Sequence, residues 1–154
     1  MKTAKPWIAL VAGLLLTACA AAPGTGTSPT AVPGVSPAGA GTAIPHVTAE
    51  EAKALQDKGE NLLFVDVRSK ASYDIGHIEG AVSHPWATLP QTHTQLPKDR
   101  TLMLYCTCPD EHSSAGAAGD LQAQFGFTKL MVLKGGMQGW MAKGYPTANS
   151  GTGQ

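Results

Sequence analysis

The chain has 154 residues, with eleven basic and eleven acidic side chains for a formal net charge of zero, and three cysteines: Cys19, Cys106 and Cys108. That balance lacks the basic patch with interleaved aromatics that a nucleic-acid partner requires, so none is expected. Three cysteines do not make a disulfide framework, and an apolar core has to hold the fold.

Lys2 and Lys5 precede an apolar stretch from Ile8 to Leu16. This stretch is too short to cross a bilayer core of about 30 Å and reads as a targeting segment. Leu16-Thr17-Ala18-Cys19 resembles a bacterial lipobox. The resemblance implies a signal peptide over residues 1–18 and acylation of Cys19 as the first mature residue. The mature chain would then carry nine basic and eleven acidic residues, a net of −2. The same resemblance implies, from Ala20 in place of aspartate, the outer membrane in preference to the inner one. The implied location is the bacterial cell envelope, lipid-anchored and facing the periplasm. Residues 19–44 add to Cys19 an uncharged Ala/Gly/Pro/Thr tether that buries too little to fold. Its 25 residues after the cysteine would reach about 80 Å when extended. Residues 45–147 form the expected globular domain, and 148–154 a disordered tail.

Within the domain, His46-Val47 reads as an edge strand. Thr48 and Glu51 form a capping box opening a helix that stops near Gly59. Asn61 to Val67 is a continuous apolar run, the pattern of a strand buried on both faces. A short helix over Ser69–Tyr73 and a strand within Ile78–Ser83 follow, then a proline-punctuated stretch with a helical segment near Thr88–Gln95. Thr101 to Tyr105 is the next buried strand. A helix over about Ser113–Phe125, a strand over Lys129–Leu133, a turn at Gly135-Gly136 and a helix over Met137–Lys143 complete the chain. Strands separated by helices predict an α/β fold, a parallel sheet with helices on both faces. Ligands gather at the carboxyl ends of strands in such sheets, and Cys106 sits at one.

The loop Thr107, Cys108, Pro109, Asp110, Glu111, His112 and Ser113 leads from Cys106 into a helix. Its backbone N–H groups and the helix dipole favour a thiolate, which is the nucleophilic form of cysteine. Cys106 is the candidate catalytic residue.

Five segments in order carry a family resemblance. They are Asp66-Val67-Arg68; Tyr73 with Gly76-His77-Ile78 and Gly80-Ala81; Cys106 and its loop; Gly126-Phe127; and Leu133 with Gly135-Gly136, Trp140, Gly144 and Pro146. The chain from Val47 to Pro146 thereby resembles the rhodanese homology domain. The resemblance implies a sulfurtransferase or sulfane-sulfur carrier that forms a persulfide on Cys106, with a small sulfur donor and a thiol acceptor as partners and no cofactor. A protein partner in the envelope fits a single-domain member. The resemblance gives Asp66 and Arg68 a loop-orienting ion pair, His77 a backbone hydrogen bond near the cleft, and Trp140 a place in the core.

The loop departs from the family in two respects. It has no Lys or Arg and carries Asp110 and Glu111, which oppose a dianion such as thiosulfate if they point inward. It also has Cys108, which reads as a small buried loop residue, or as the partner of Cys106 in a disulfide and a thiol-redox function. A metal held by Cys106, Cys108 and His112 would lack a fourth ligand, so no metal is expected. A rhodanese-like binding module without catalysis is the remaining alternative.

Overall fold

A computed structural model of the chain describes residues 43–151. The lipobox, Cys19 and nearly all of the tether lie outside the described residues, as do the last three residues.

The elements in chain order are β1 (His46–Val47), α1 (Ala49–Asp57), β2 (Leu62–Asp66), α2 (Lys70–Ile75), β3 (His77–Ile78), β4 (Val82–Ser83), α3 (Leu89–Thr92), β5 (Thr101–Tyr105), α4 (His112–Phe125), β6 (Leu130–Leu133), α5 (Gly136–Ala142) and β7 (Thr147–Ala148). Short 3-10 turns flank α3 on both sides. The capping box forms as predicted: Thr48 accepts from the Glu51 N–H, and the Glu51 carboxylate accepts from the Thr48 N–H at 2.8 Å.

Five strands make a parallel sheet in the order β1-β6-β5-β2-β4. β5 is central, paired with β2 from Leu62↔Thr101 to Asp66↔Tyr105 and with β6 from Leu102↔Leu130 to Leu104↔Val132. Side chains alternate across the sheet and build two cores. On one side Val65, Leu102, Leu104 and Val132 pack against Ala117, Ala118 and Leu121 of α4. On the other, Phe64, Met103, Tyr105 and Leu133 pack against Ala52 of α1 and Met137 and Trp140 of α5. Each fully buried large side chain contributes about 1.5–3 kcal/mol, and small residues on α4 let that helix lie close to the sheet.

Two expectations change. The single strand read within Ile78–Ser83 is two strands in different sheets: β4 closes the main sheet beside β2, while β3 pairs antiparallel with β7. The turn at Gly80, φ +79°, separates them. The pairing of His77 with Ala148 also carries ordered structure past residue 147, and the Ser150 N–H reaches Asp74 O at 3.0 Å. A two-residue strand on a polar, glycine-rich terminus has no periodicity to betray it.

Candidate active site

Alternation along β5 decides where the thiol points. Leu102 and Leu104 face α4, Met103 and Tyr105 face α5, and Cys106, one step past the strand, falls on the α4 side. It is 1% exposed. Its Sγ accepts the Cys108 N–H at 3.3 Å and lies 3.8 Å from Cys108 O. The Ser114 hydroxyl stands 3.6 Å from Cys106 Sγ and 3.0 Å from Glu111 O. That hydroxyl has one proton and serves one acceptor at a time. A Cys106 thiol can therefore donate to Cys108 O, whereas a thiolate finds an amide and a hydroxyl donor in place. The ring of N–H groups expected around the thiol is thinner than the sequence suggests. Pro109 has no N–H, the Glu111 N–H is taken by Cys108 O at 3.2 Å, and the His112 N–H by Asp110 Oδ1 at 3.4 Å.

The turn between β6 and α5 closes on the backbone of the nucleophile. Cys106 O accepts the Met137 N–H at 2.8 Å. A Cβ on Gly136 would stand 2.1 Å from Cys106 O, and Gly136 has φ +48°. Only glycine meets both conditions. The sequence marked Gly135-Gly136 as a turn, but its approach to Cys106 was not legible there.

Glu111 is the sole non-glycine residue with positive φ among the described residues, at 55°. That conformation turns its carboxylate to the Gly135 N–H at 2.6 Å, with His46 Nδ1 3.8 Å away. Asp110 is exposed. Both carboxylates of the loop thus engage backbone donors rather than the thiol. Cys108 is half-buried, with Sγ 3.6 Å from Ser113 Oγ. Hydrogen bonding to the Ser113 hydroxyl, and next to the Cys106 thiol, holds the Cys108 thiol below the ordinary cysteine value. Thr107 is half-buried, while Pro109 and His112 are exposed.

Asp66 is fully buried at the end of β2 and accepts the Arg68 N–H (3.0 Å), Nε (2.9 Å) and Nη2 (2.6 Å). Arg68 also donates to Gly76 O at 2.6 Å, lies over the Tyr105 ring at 5.7 Å, and brings Nη1 to 3.5 Å from Thr107 Oγ1. Its guanidinium thus reaches the Cys106 loop, and Asp66 neutralises it. Burial, followed by the Asp66 charge, pushes the Tyr105 phenol upward, and its hydroxyl accepts the Ile78 N–H at 3.1 Å. His77 is buried, with Nδ1 2.8 Å from Tyr73 O and its ring stacked on Tyr73 at 3.7 Å. Tyr73, on which it stacks, packs against the core on the α5 side of the sheet, whereas Cys106 belongs to the core on the α4 side.

Ser114 and Trp86 also border the site. Ser114 was one of several small residues, with no signal to single it out. Trp86 packs over Gly116, where a Cβ would stand 2.5 Å from the ring, and donates from Nε1 to Asp120 at 2.7 Å. It also meets the His112 ring edge-on at 6.2 Å, placing an aromatic wall beside the start of α4.

Fold and site together define an α/β protein with a thiol at the carboxyl end of its central strand, under a loop that opens a helix. Residues 48–143 match the model of the rhodanese-like domain, and the chain belongs to the rhodanese-like family. It is 32% identical over 102 residues to a probable adenylyltransferase/sulfurtransferase of Mycobacterium tuberculosis, covering 65% of this chain but only 25% of that protein. A thiosulfate sulfurtransferase of Pseudoalteromonas translucida is 31% identical over 100 residues, covering 65% of this chain and 91% of the relative. The solution structure of a rhodanese-like domain from an Anabaena protein superposes with a TM-score of 0.62 at 29% identity, covering 73% of this chain and 85% of that one.

Proposed function

We propose that the protein is a sulfurtransferase or sulfane-sulfur carrier that forms a persulfide on Cys106 and passes the outer sulfur to a thiol. The observation that carries this is the placement of Cys106 at the end of the central strand, with the Cys108 N–H and the Ser114 hydroxyl directed at its sulfur. In the first step a Cys106 thiolate attacks the outer sulfur of a donor persulfide, and the donor departs as a thiolate. In the second an acceptor thiolate attacks the outer sulfur of Cys106–S–S⁻ and releases Cys106. Sulfur moves at the same oxidation level throughout, so no redox cofactor is required.

The donor is a thiol-bound or neutral sulfane sulfur in preference to thiosulfate. Glu111 and Asp110 accept from backbone donors rather than from the thiol, but the Asp110 charge still opposes an anion beside Cys108, and the loop carries no Lys or Arg. Arg68, which reaches it from the β2 loop, is paired with the buried Asp66. A dianion gains little there. The reading also places the domain in the bacterial envelope, held to the membrane by acylated Cys19 through the tether.

Intact-mass measurement after exposure to glutathione persulfide, a polysulfide and thiosulfate tests the chemistry. The expected result is one added sulfur atom from the first two, found on Cys106 after fragmentation of the wild-type protein. A Cys106 that takes up no sulfur from any donor and resists alkylation near neutral pH overturns the reading. The burial of Cys106 would then favour a rhodanese-like binding module.

A further inference from the structure

Cys106 is closed off by its own loop, yet a sulfur carrier has to exchange with thiols much larger than water. Two residues away, Cys108 is half-buried rather than buried. The two thiols are served in parallel by consecutive residues of the first turn of α4: Ser113 Oγ stands 3.6 Å from Cys108 Sγ and Ser114 Oγ 3.6 Å from Cys106 Sγ. The Cys108 N–H already points at Cys106 Sγ, so the second cysteine is folded back over the first. A structural filler needs neither partial exposure nor a hydroxyl partner.

We infer that Cys108 is a second catalytic thiol, the outer station through which sulfane sulfur passes between buried Cys106 and thiols of glutathione size or larger. This rests on the persulfide reading above. The sulfur of Cys108 attacks the outer sulfur of Cys106–S–S⁻; a bond forms from Cys108 Sγ to that sulfur, and its bond to Cys106 Sγ breaks. The electron pair goes to Cys106, which takes up the proton lost by Cys108, leaving Cys106–SH and Cys108–S–S⁻. No oxidant or reductant is consumed. The lowered thiol of Cys108 suits the role, because more of it is thiolate near neutral pH.

The test uses the full chain, loaded with one equivalent of glutathione persulfide. Rapid alkylation and fragmentation then locate the added sulfur, and transfer is timed to two acceptors, glutathione and the far smaller cyanide. The expected results are sulfur found on Cys108 as well as Cys106, and a fall of about tenfold or more in the glutathione-to-cyanide rate ratio for Cys108→Ser and Cys108→Ala. A merely structural role would slow both acceptors together and leave that ratio unchanged. Wild-type protein that loads Cys106 alone, with a ratio the variants do not move, overturns the relay and leaves the persulfide reading intact. Loss of two hydrogens with release of hydrosulfide also overturns the relay, since it means that Cys108 attacked the inner sulfur to give a disulfide. Wild-type protein that loads no sulfur defeats the persulfide reading itself, and the relay with it.

Discussion

The loops that follow β2 and β5 stand side by side, with Asp66 in register with Tyr105, yet they are held in opposite ways. After β2, a fully buried carboxylate is bonded to a guanidinium through contacts of 2.6–3.1 Å. After β5, two thiols rest on sulfur contacts of 3.3–3.8 Å. Short charge-assisted bonds are strong and directional, whereas contacts to sulfur are long and weak. The β2 loop is a frame, and the β5 loop is the part that chemistry can rearrange. Reactivity is placed next to rigidity without being built from it.

Removing the frame's charge should have the largest effect on stability. Asp66→Asn leaves Arg68 without its counter-ion beneath the loop and is expected to cost about 3 kcal/mol in urea unfolding. A cost below that of Ser114→Ala would erase the distinction between the loops. Gly136→Ala acts at the seam, forcing a side chain into a left-handed backbone and against Cys106 O. About 2 kcal/mol of destabilisation is expected, together with slower alkylation of Cys106 as its peptide is displaced.

Acid should weaken the frame next. His84 lies beside it, its backbone N–H on Asp66 O at 2.9 Å and its imidazole Nδ1 3.3 Å from Thr92 Oγ1, and burial lowers the imidazole from 6.5. The unfolded chain therefore binds that proton more readily than the folded one. Stability is full above the unfolded value and falls as pH drops below about 6.5. His84→Gln should flatten the unfolding midpoint across that range. Ser114→Ala should have the smallest stability effect, about 1 kcal/mol from lost hydroxyl hydrogen bonding. It should also slow Cys106 alkylation, because the reacting sulfur would lose one of its two donors. An unchanged rate would mean that the hydroxyl serves only Glu111 O.

The frame was the more legible of the two in the sequence. Leu62–Asp66 and Thr101–Tyr105 announce themselves as buried strands because both faces of the sheet are covered. Thr48 and Glu51 announce a helix start because capping depends on local spacing. The loop resisted reading because its geometry turns on one backbone angle. The left-handed φ at Glu111 sends a carboxylate toward Gly135 instead of the thiol, and nothing in the residue type foretells it. β7 and the contact of Gly136 with Cys106 depend on partners distant in the chain, which local patterns do not carry.

Two bonds to the turn after β6 have a mechanical consequence. Cys106 is fastened through its carbonyl to Met137, and Glu111 through its carboxylate to Gly135. Between these clamps lie Thr107, Cys108, Pro109 and Asp110, and proline fixes one of their torsions, leaving about seven soft ones. So short a linkage, clamped at both ends, can rock but not swing wide, and Cys108 and Pro109 share the middle of its arc.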